Sequence, residues 1–111
     1  TRAISLMWNQ RSCDVFLGVP YNTASYALLT HILAKMCNMI PGEFVHTFGD
    51  VHIYKNHLEQ VDELLNRDLG EFKLPKLVID RKYESIDDFN IDSFTIDGYK
   101  YHPSIKAPVA I

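Results

Sequence analysis

The chain has 111 residues, 47% hydrophobic and 23% charged, close to average globular usage, which excludes a disordered segment and is short for two lobes around a deep cleft. Eleven Lys and Arg against fourteen Asp and Glu leave a net charge of −3, which argues against a general binder of nucleic acid or anionic membrane. Cys13 and Cys37 form no Cys-x-x-Cys, so neither a disulfide framework nor a cysteine zinc site is expected, and a reducing, cytoplasmic setting fits.

The longest mainly apolar stretch, Ala24 to Ile40, is broken by Ser25, Thr30, His31, Lys35 and Asn38, too polar for a membrane span, and no signal peptide is visible. The chain opens at Thr1 without Met and enters Ala3-Ile4-Ser5-Leu6-Met7-Trp8, which alternates as a strand does, so a fragment of a larger domain is expected.

In chain order, Arg2 to Cys13 reads as a strand. Leu17-Gly18-Val19-Pro20 ends it in a loop, Gly18 permitting unusual dihedrals and Pro20 lacking a ladder donor. Apolar residues at Ala24, Leu28, Leu29, Ile32, Leu33, Met36, Cys37 and Ile40 recur with helical spacing, with Asn22 or Thr23 as cap and Pro41-Gly42 as the stop. Glu43 to Phe48 alternates as a half-buried strand that Gly49-Asp50 turns or bulges, and a second amphipathic helix is expected from about His52 to Leu65. Asp68 to Lys73 is a polar connection. Leu77-Val78-Ile79 and Ser93 to Gly98 are short strands separated by an acidic turn at Asp87-Asp88, and Pro103 and Pro108 make the last ten residues an extended tail. The class is mixed α and β, without repeats or a domain linker.

Arg11-Ser12-x-Asp14 places a cation, a hydroxyl and a carboxylate at the end of a strand: a grip for a phosphomonoester, or an ordinary surface ion pair. Asn22 offers a donor and an acceptor to the amide edge of a pyrimidine, or is simply a helix cap. His46, His52 and His57 with Asp50 lack a ligand pattern such as His-Glu-x-x-His, so metal binding is the weaker reading. His52 and Tyr54, two apart, suit joint hydrogen bonding to a sugar hydroxyl or a structural pair. Cys13 lies between Arg11 and Asp14, whose effects on a thiolate oppose, and Cys37 falls on the apolar helix stripe, where packing is expected.

Read together, Gln10-Arg11-Ser12-Cys13-Asp14-Val15-Phe16-Leu17-Gly18-Val19-Pro20-Tyr21-Asn22-x-Ala24-Ser25-Tyr26, Gly49-Asp50-x-His52-Ile53-Tyr54-x-Asn56-His57 and His102-Pro103-x-Ile105-Lys106-Ala107-Pro108-Val109-Ala110-Ile111 resemble the thymidylate synthases over essentially the whole chain, as the C-terminal part of the subunit. The resemblance implies a mixed-sheet α/β (α+β) fold with a long buried helix. It also implies a homodimeric, cytoplasmic methyltransferase of dTMP biosynthesis that converts dUMP to dTMP with methylenetetrahydrofolate, a reduced folate, as cosubstrate and no metal. Arg11 and Ser12 would bind the phosphate, Asn22 the uracil amide edge, and His52 and Tyr54 the deoxyribose hydroxyl. Asp14 would contact both pyrimidine and pterin, with Leu17, Gly18 and Tyr21 lining the folate side and Val109, Ala110 and Ile111 closing over the ligands. No catalytic residue is expected in the chain, because the family's nucleophilic Cys would lie upstream of Thr1; the isolated chain is expected to be inactive. The connection Arg67-Asp68-Leu69-Gly70-Glu71-Phe72-Lys73 departs from the proline-rich form usual in the family. Two alternatives remain open: a deoxyuridylate hydroxymethylase of the same fold, and a noncatalytic nucleotide-binding or dimerisation module.

Overall fold

In the computed structural model, residues 1–110 are described; Ile111, expected in the closing tail, lies outside them. Two long strands and the helix between them organise the first half. β1 (Ala3–Asp14) and β2 (Ile40–His52) pair in parallel, and α1 (Val19–Met36) connects them as the crossover that parallel pairing requires. Along β1, Ile4, Leu6, Trp8 and Gln10 are half-buried while Ser5, Met7 and Asn9 are exposed, so the period-2 pattern selects one face for cover. Trp8 stacks on Tyr26 of α1 at 3.7 Å and on His46 of β2 at 4.5 Å.

Several boundaries differ from those expected, each for an identifiable reason. Pro20 sits in the first turn of α1, where a missing N–H costs nothing, so the loop is only residues 15–18. Asn22 and Thr23 are therefore inside α1 and do not cap it; Gly18 holds the N-cap position without a side-chain bond. The helix stops at Met36, ahead of Pro41-Gly42, because Asn38 adopts a left-handed φ of 53° and the Met39 N–H turns back to the Ala34 carbonyl at 2.9 Å. Cys37 thus lies at the helix end and is exposed, outside the core assigned to it from its spacing.

β2 runs straight through Gly49-Asp50 to His52 with no turn or bulge there; the register irregularity falls between Ile4 and Leu6. Gly49 is demanded by close approach, since a Cβ at this position would stand 2.6 Å from the Arg11 carbonyl oxygen. Beyond His52 the chain stays extended for two residues, makes a single 3-10 turn at Lys55–His57, and only then enters α2 (Leu58–Leu65), shorter than the helix expected from His52.

β3 (Lys76–Ile79) and β4 (Phe94–Asp97) form an antiparallel pair. Between them lie two 3-10 turns, Ile86–Asp88 and Ile91–Ser93, closed by capping boxes on Ser85 and Asn90; the acidic Asp87-Asp88 segment is the first of these. Buried Tyr83 ties this unit together, its hydroxyl donating to Asp80 Oδ1 at 2.7 Å and lying 2.8 Å from Ser93 Oγ. The tail, residues 101–110, has no regular structure and returns along α2: Arg67 Nη2 donates to the Pro103 carbonyl at 2.6 Å, and His102 Nε2 to the Asp68 carbonyl at 2.9 Å.

The accessible surface is 8691 Å² for 12.8 kDa, against roughly 6,300 Å² for a compact monomer of that mass. The radius of gyration, 16.4 Å, likewise exceeds the approximately 13 Å of a compact 111-residue domain. Among the described residues, only Cys13, Ala34 and Tyr83 are buried apolar residues. The excess includes the sheet face turned away from α1, where Met7, Val45 and Val51 are 69%, 44% and 56% exposed. Gly49→Ala is expected to destabilise the β1–β2 pair by about 1–3 kcal/mol through overpacking, measured as a lowered midpoint of chemical denaturation.

Candidate functional site

The C-terminal ends of two parallel strands open a crevice in which α/β folds bind ligands. Here they bring together residues distant in sequence: Ser12 pairs with Asp50 and Asp14 with His52, and the Val15 N–H donates to the His52 carbonyl at 3.0 Å. Asp14 then builds the turn into α1, its Oδ1 accepting the Leu17 N–H at 3.2 Å and its carbonyl the Gly18 N–H at 2.9 Å. Gly18 has an ordinary φ of −96°, so it is not needed for an unusual dihedral. Its lack of a side chain matters for space: a Cβ would come within 3.1 Å of the Asp14 carbonyl oxygen and 3.2 Å of Asn22 Oδ1.

Asn22 is half-buried one turn into α1, and its amide is oriented by a relay that the sequence reading missed. Gln10 Nε2 lies 3.0 Å from the Ser12 carbonyl, which can only accept, so this atom is the amide nitrogen; its second hydrogen goes to Asn22 Oδ1 at 2.9 Å. Gln10 Oε1 must then accept from His46 Nε2 at 2.9 Å, and His46 Nδ1 from the Thr23 hydroxyl at 3.1 Å, an assignment that follows from the bonding pattern. Stacking of the His46 ring on Trp8 and, at 4.0 Å, on Phe48 fixes its plane. The backbone carbonyl of Ser12 therefore decides the order in which Asn22 presents its two ends: Oδ1 on the Gln10 side, Nδ2 free to donate.

His52 and Tyr54 come together edge to face with ring centroids 5.0 Å apart, although Tyr54 lies beyond the strand end. His52 Nδ1 donates to the Asp50 carbonyl at 3.1 Å, which leaves Nε2 as an acceptor. Tyr54 also shares a hollow of about 450 Å³ with Ile53, Lys55, Asn56 and Ala110 of the tail. The Asp14 Oδ1 bond to Leu17 answers the surface ion-pair reading: among the described residues Arg11 and Asp14 make no salt bridge, and Arg11 and Ser12 are both exposed. Tyr21 at 76% and Val109 at 78% are exposed as well, and among the described residues no hydrogen bond joins either to the other site residues.

Both ring nitrogens of His46 are engaged within the relay, and among the described residues no group of three or more His, Cys, Asp or Glu is placed to hold a metal ion. Cys13 is wholly buried with its thiol 3.3 Å from the Gln10 carbonyl, a packed position that no substrate reaches. A larger apolar hollow of about 770 Å³ lies between α1 and the β3–β4 pair, lined by residues such as Leu28, His31, Leu77 and Phe94 and by none of the residues above.

Gln10→Leu strands both His46 Nε2 and Asn22 Oδ1, so a loss of about 1–3 kcal/mol in denaturation free energy is expected. In a double-mutant cycle with Thr23→Val the two losses should fall short of additive, because both act on one relay.

No helix of the described residues is long and apolar enough to cross a membrane. The family model described as thymidylate synthase matches residues 1–111, the whole chain, and with the strand-end crevice and its oriented Asn22 in place, the chain belongs to the thymidylate synthase family.

Proposed function

We propose that this chain holds dUMP and a reduced folate in an enzyme that reductively methylates dUMP to dTMP, methylenetetrahydrofolate supplying both the carbon and the hydride when bound. The observation that supports this reading best is the fixed order of the Asn22 amide. A uracil ring presents N3–H beside a C4 carbonyl, and Asn22 answers with Oδ1, which has a second lone pair beyond the Gln10 bond, and with Nδ2. A cytosine ring presents the reverse pair, and accepting it would require Asn22, Gln10 and His46 to invert together.

The other roles follow from chemistry at the same strand ends. Arg11, a permanent cation, and the Ser12 hydroxyl bind the phosphate. His52 Nε2 accepts from the deoxyribose hydroxyl while the Tyr54 hydroxyl donates to it. Asp14 faces the pyrimidine through its backbone and the pterin through its carboxylate. The folate fits the residues present: Gly18 leaves bare backbone beside Asp14, Leu17 adds apolar surface, and exposed Tyr21 offers a ring for stacking. Val109 and Ala110 cover the bound pair and exclude water from the one-carbon unit, which is open to hydrolysis.

The nucleophile that adds to carbon 6 of the pyrimidine is a Cys upstream of Thr1, and the 111 residues alone are inactive; buried Cys13 has no part in the addition. Met7, Val45 and Val51, exposed together on one sheet face, support a homodimer in which a second subunit covers this side. The enzyme works in the cytoplasm.

Arg11→Ala in the full-length protein is expected to weaken dUMP binding by about ten- to a hundredfold, the loss typical of a charge-assisted hydrogen bond, and to leave deoxyuridine, which has no phosphate, within about twofold. Equal effects on both ligands would remove Arg11 from the phosphate site. Product analysis tests the reaction itself: dTMP is expected, and 5-hydroxymethyl-dUMP would assign the chain to the hydroxymethylases instead. Met7→Glu should shift the protein from dimer towards monomer in sedimentation velocity.

A further inference from the structure

One fully buried histidine has no role in the account above. His57 is 0% exposed, in the 3-10 turn that precedes α2, and its Nε2 lies 2.6 Å from the Pro108 carbonyl oxygen. That oxygen can only accept, so Nε2 carries the proton. Three residues on, Gln60 Nε2 donates to the Lys106 carbonyl at 3.4 Å. The spacings match: residues i and i+3 of a helix are neighbours on one face, and in an extended chain the carbonyls of residues i and i+2 point the same way. Two side chains on one helical face therefore read two carbonyls on one side of the tail.

Packing alone does not explain these two residues. Among the described residues His57 Nδ1 and Gln60 Oε1 are buried with no hydrogen-bond partner, and an apolar side chain at either position would avoid that penalty. The donor halves are what the positions use. His57 also lies between Phe16, whose ring centroid is 5.7 Å away in the turn before α1, and Tyr54, 5.8 Å away at the end of β2. One imidazole thus touches the turn containing Leu17 and Gly18, the sugar-facing Tyr54 and the tail.

We propose that His57 and Gln60 form a carbonyl clamp that sets the register of the C-terminal tail, both acting as positioning residues through Val109 and Ala110. The clamp rests on the reading of that tail as the element that covers the folate. A tail free to slide by one residue would exchange its inward and outward side chains, as any extended chain does, so Ile105, Ala107 and Ala110 would lose their present cover.

The test uses the full-length protein with His57→Leu, Gln60→Leu and His57→Gln, the last keeping an N–H donor at similar reach. Carboxypeptidase release of the terminal residues, without ligand, is expected to quicken about tenfold in each Leu variant, the ratio that corresponds to one lost hydrogen bond, and to return to within about threefold of wild type in His57→Gln. The folate KM should rise in parallel while dUMP affinity stays within about twofold, a split that general loss of structure would not produce. Nitrogen NMR of the wild-type imidazole should report the Nε2–H tautomer of His57, and this reading survives even if His57→Leu does not fold. Unchanged tail release in folded Leu variants, or an Nδ1–H tautomer, overturns the clamp. Tail release and tautomer need no turnover, so a clamp that holds in a protein unable to form dTMP would refute the reaction and leave the clamp standing.

Discussion

The register between β1 and β2 is the constraint on which the remaining features depend. With Gln10 opposite Phe48 and Asp14 opposite His52, the polar ends of both strands meet at one crevice, and the backbone approach at Gly49 holds the strands close just before it. A slip of one residue would send Gln10 to the opposite face and break both its bonds to Asn22 and His46. The Asn22 amide would then be free to turn, because nothing else in the relay distinguishes its nitrogen from its oxygen. Pairing of two strands, made of ordinary ladder bonds, is in this way what orders the Asn22 amide.

The local grammar of the sequence located most elements. Period-2 alternation marked β1, and the apolar stripe from Ala24 marked α1 and the acidic hairpin segment separated β3 from β4. Its failures share a cause. Gly49-Asp50 carries the residues of a turn, yet the deciding fact is the proximity of Arg11, a neighbour 38 positions earlier that no local window contains. Asn38, a residue tolerant of left-handed backbone, ended α1 before the more conspicuous Pro41-Gly42 came into play.

The same distance effect separates the site residues that were legible from those that were not. Arg11, Asn22, His52 and Tyr54 carry side chains whose chemistry suggests a ligand wherever they occur. Gln10 is an unremarkable strand glutamine until the fold sets it against His46, 36 residues away, and His57 is one histidine among five until Pro108, 51 residues away, arrives at its ring. Such residues act on other side chains or on backbone and never need to touch the ligand. Spacing motifs do not register them because the partner lies on another element.

Solvent exposure links these relays to the unpartnered sheet face. A parallel pair is ordinarily covered on both sides, and here Met7, Val45 and Val51 leave much of the side away from α1 exposed. Each bond of the Thr23–His46–Gln10–Asn22 relay is part-buried, so in this chain water competes for the same donors and acceptors. Covering the Met7, Val45 and Val51 face would lower the local dielectric behind the relay and strengthen each of its bonds, and inversion of the Asn22 amide would then cost three buried partners in place of three hydrated ones. Any partner surface laid against the Met7, Val45 and Val51 face would therefore act on the order of the Asn22 amide as well as on stability.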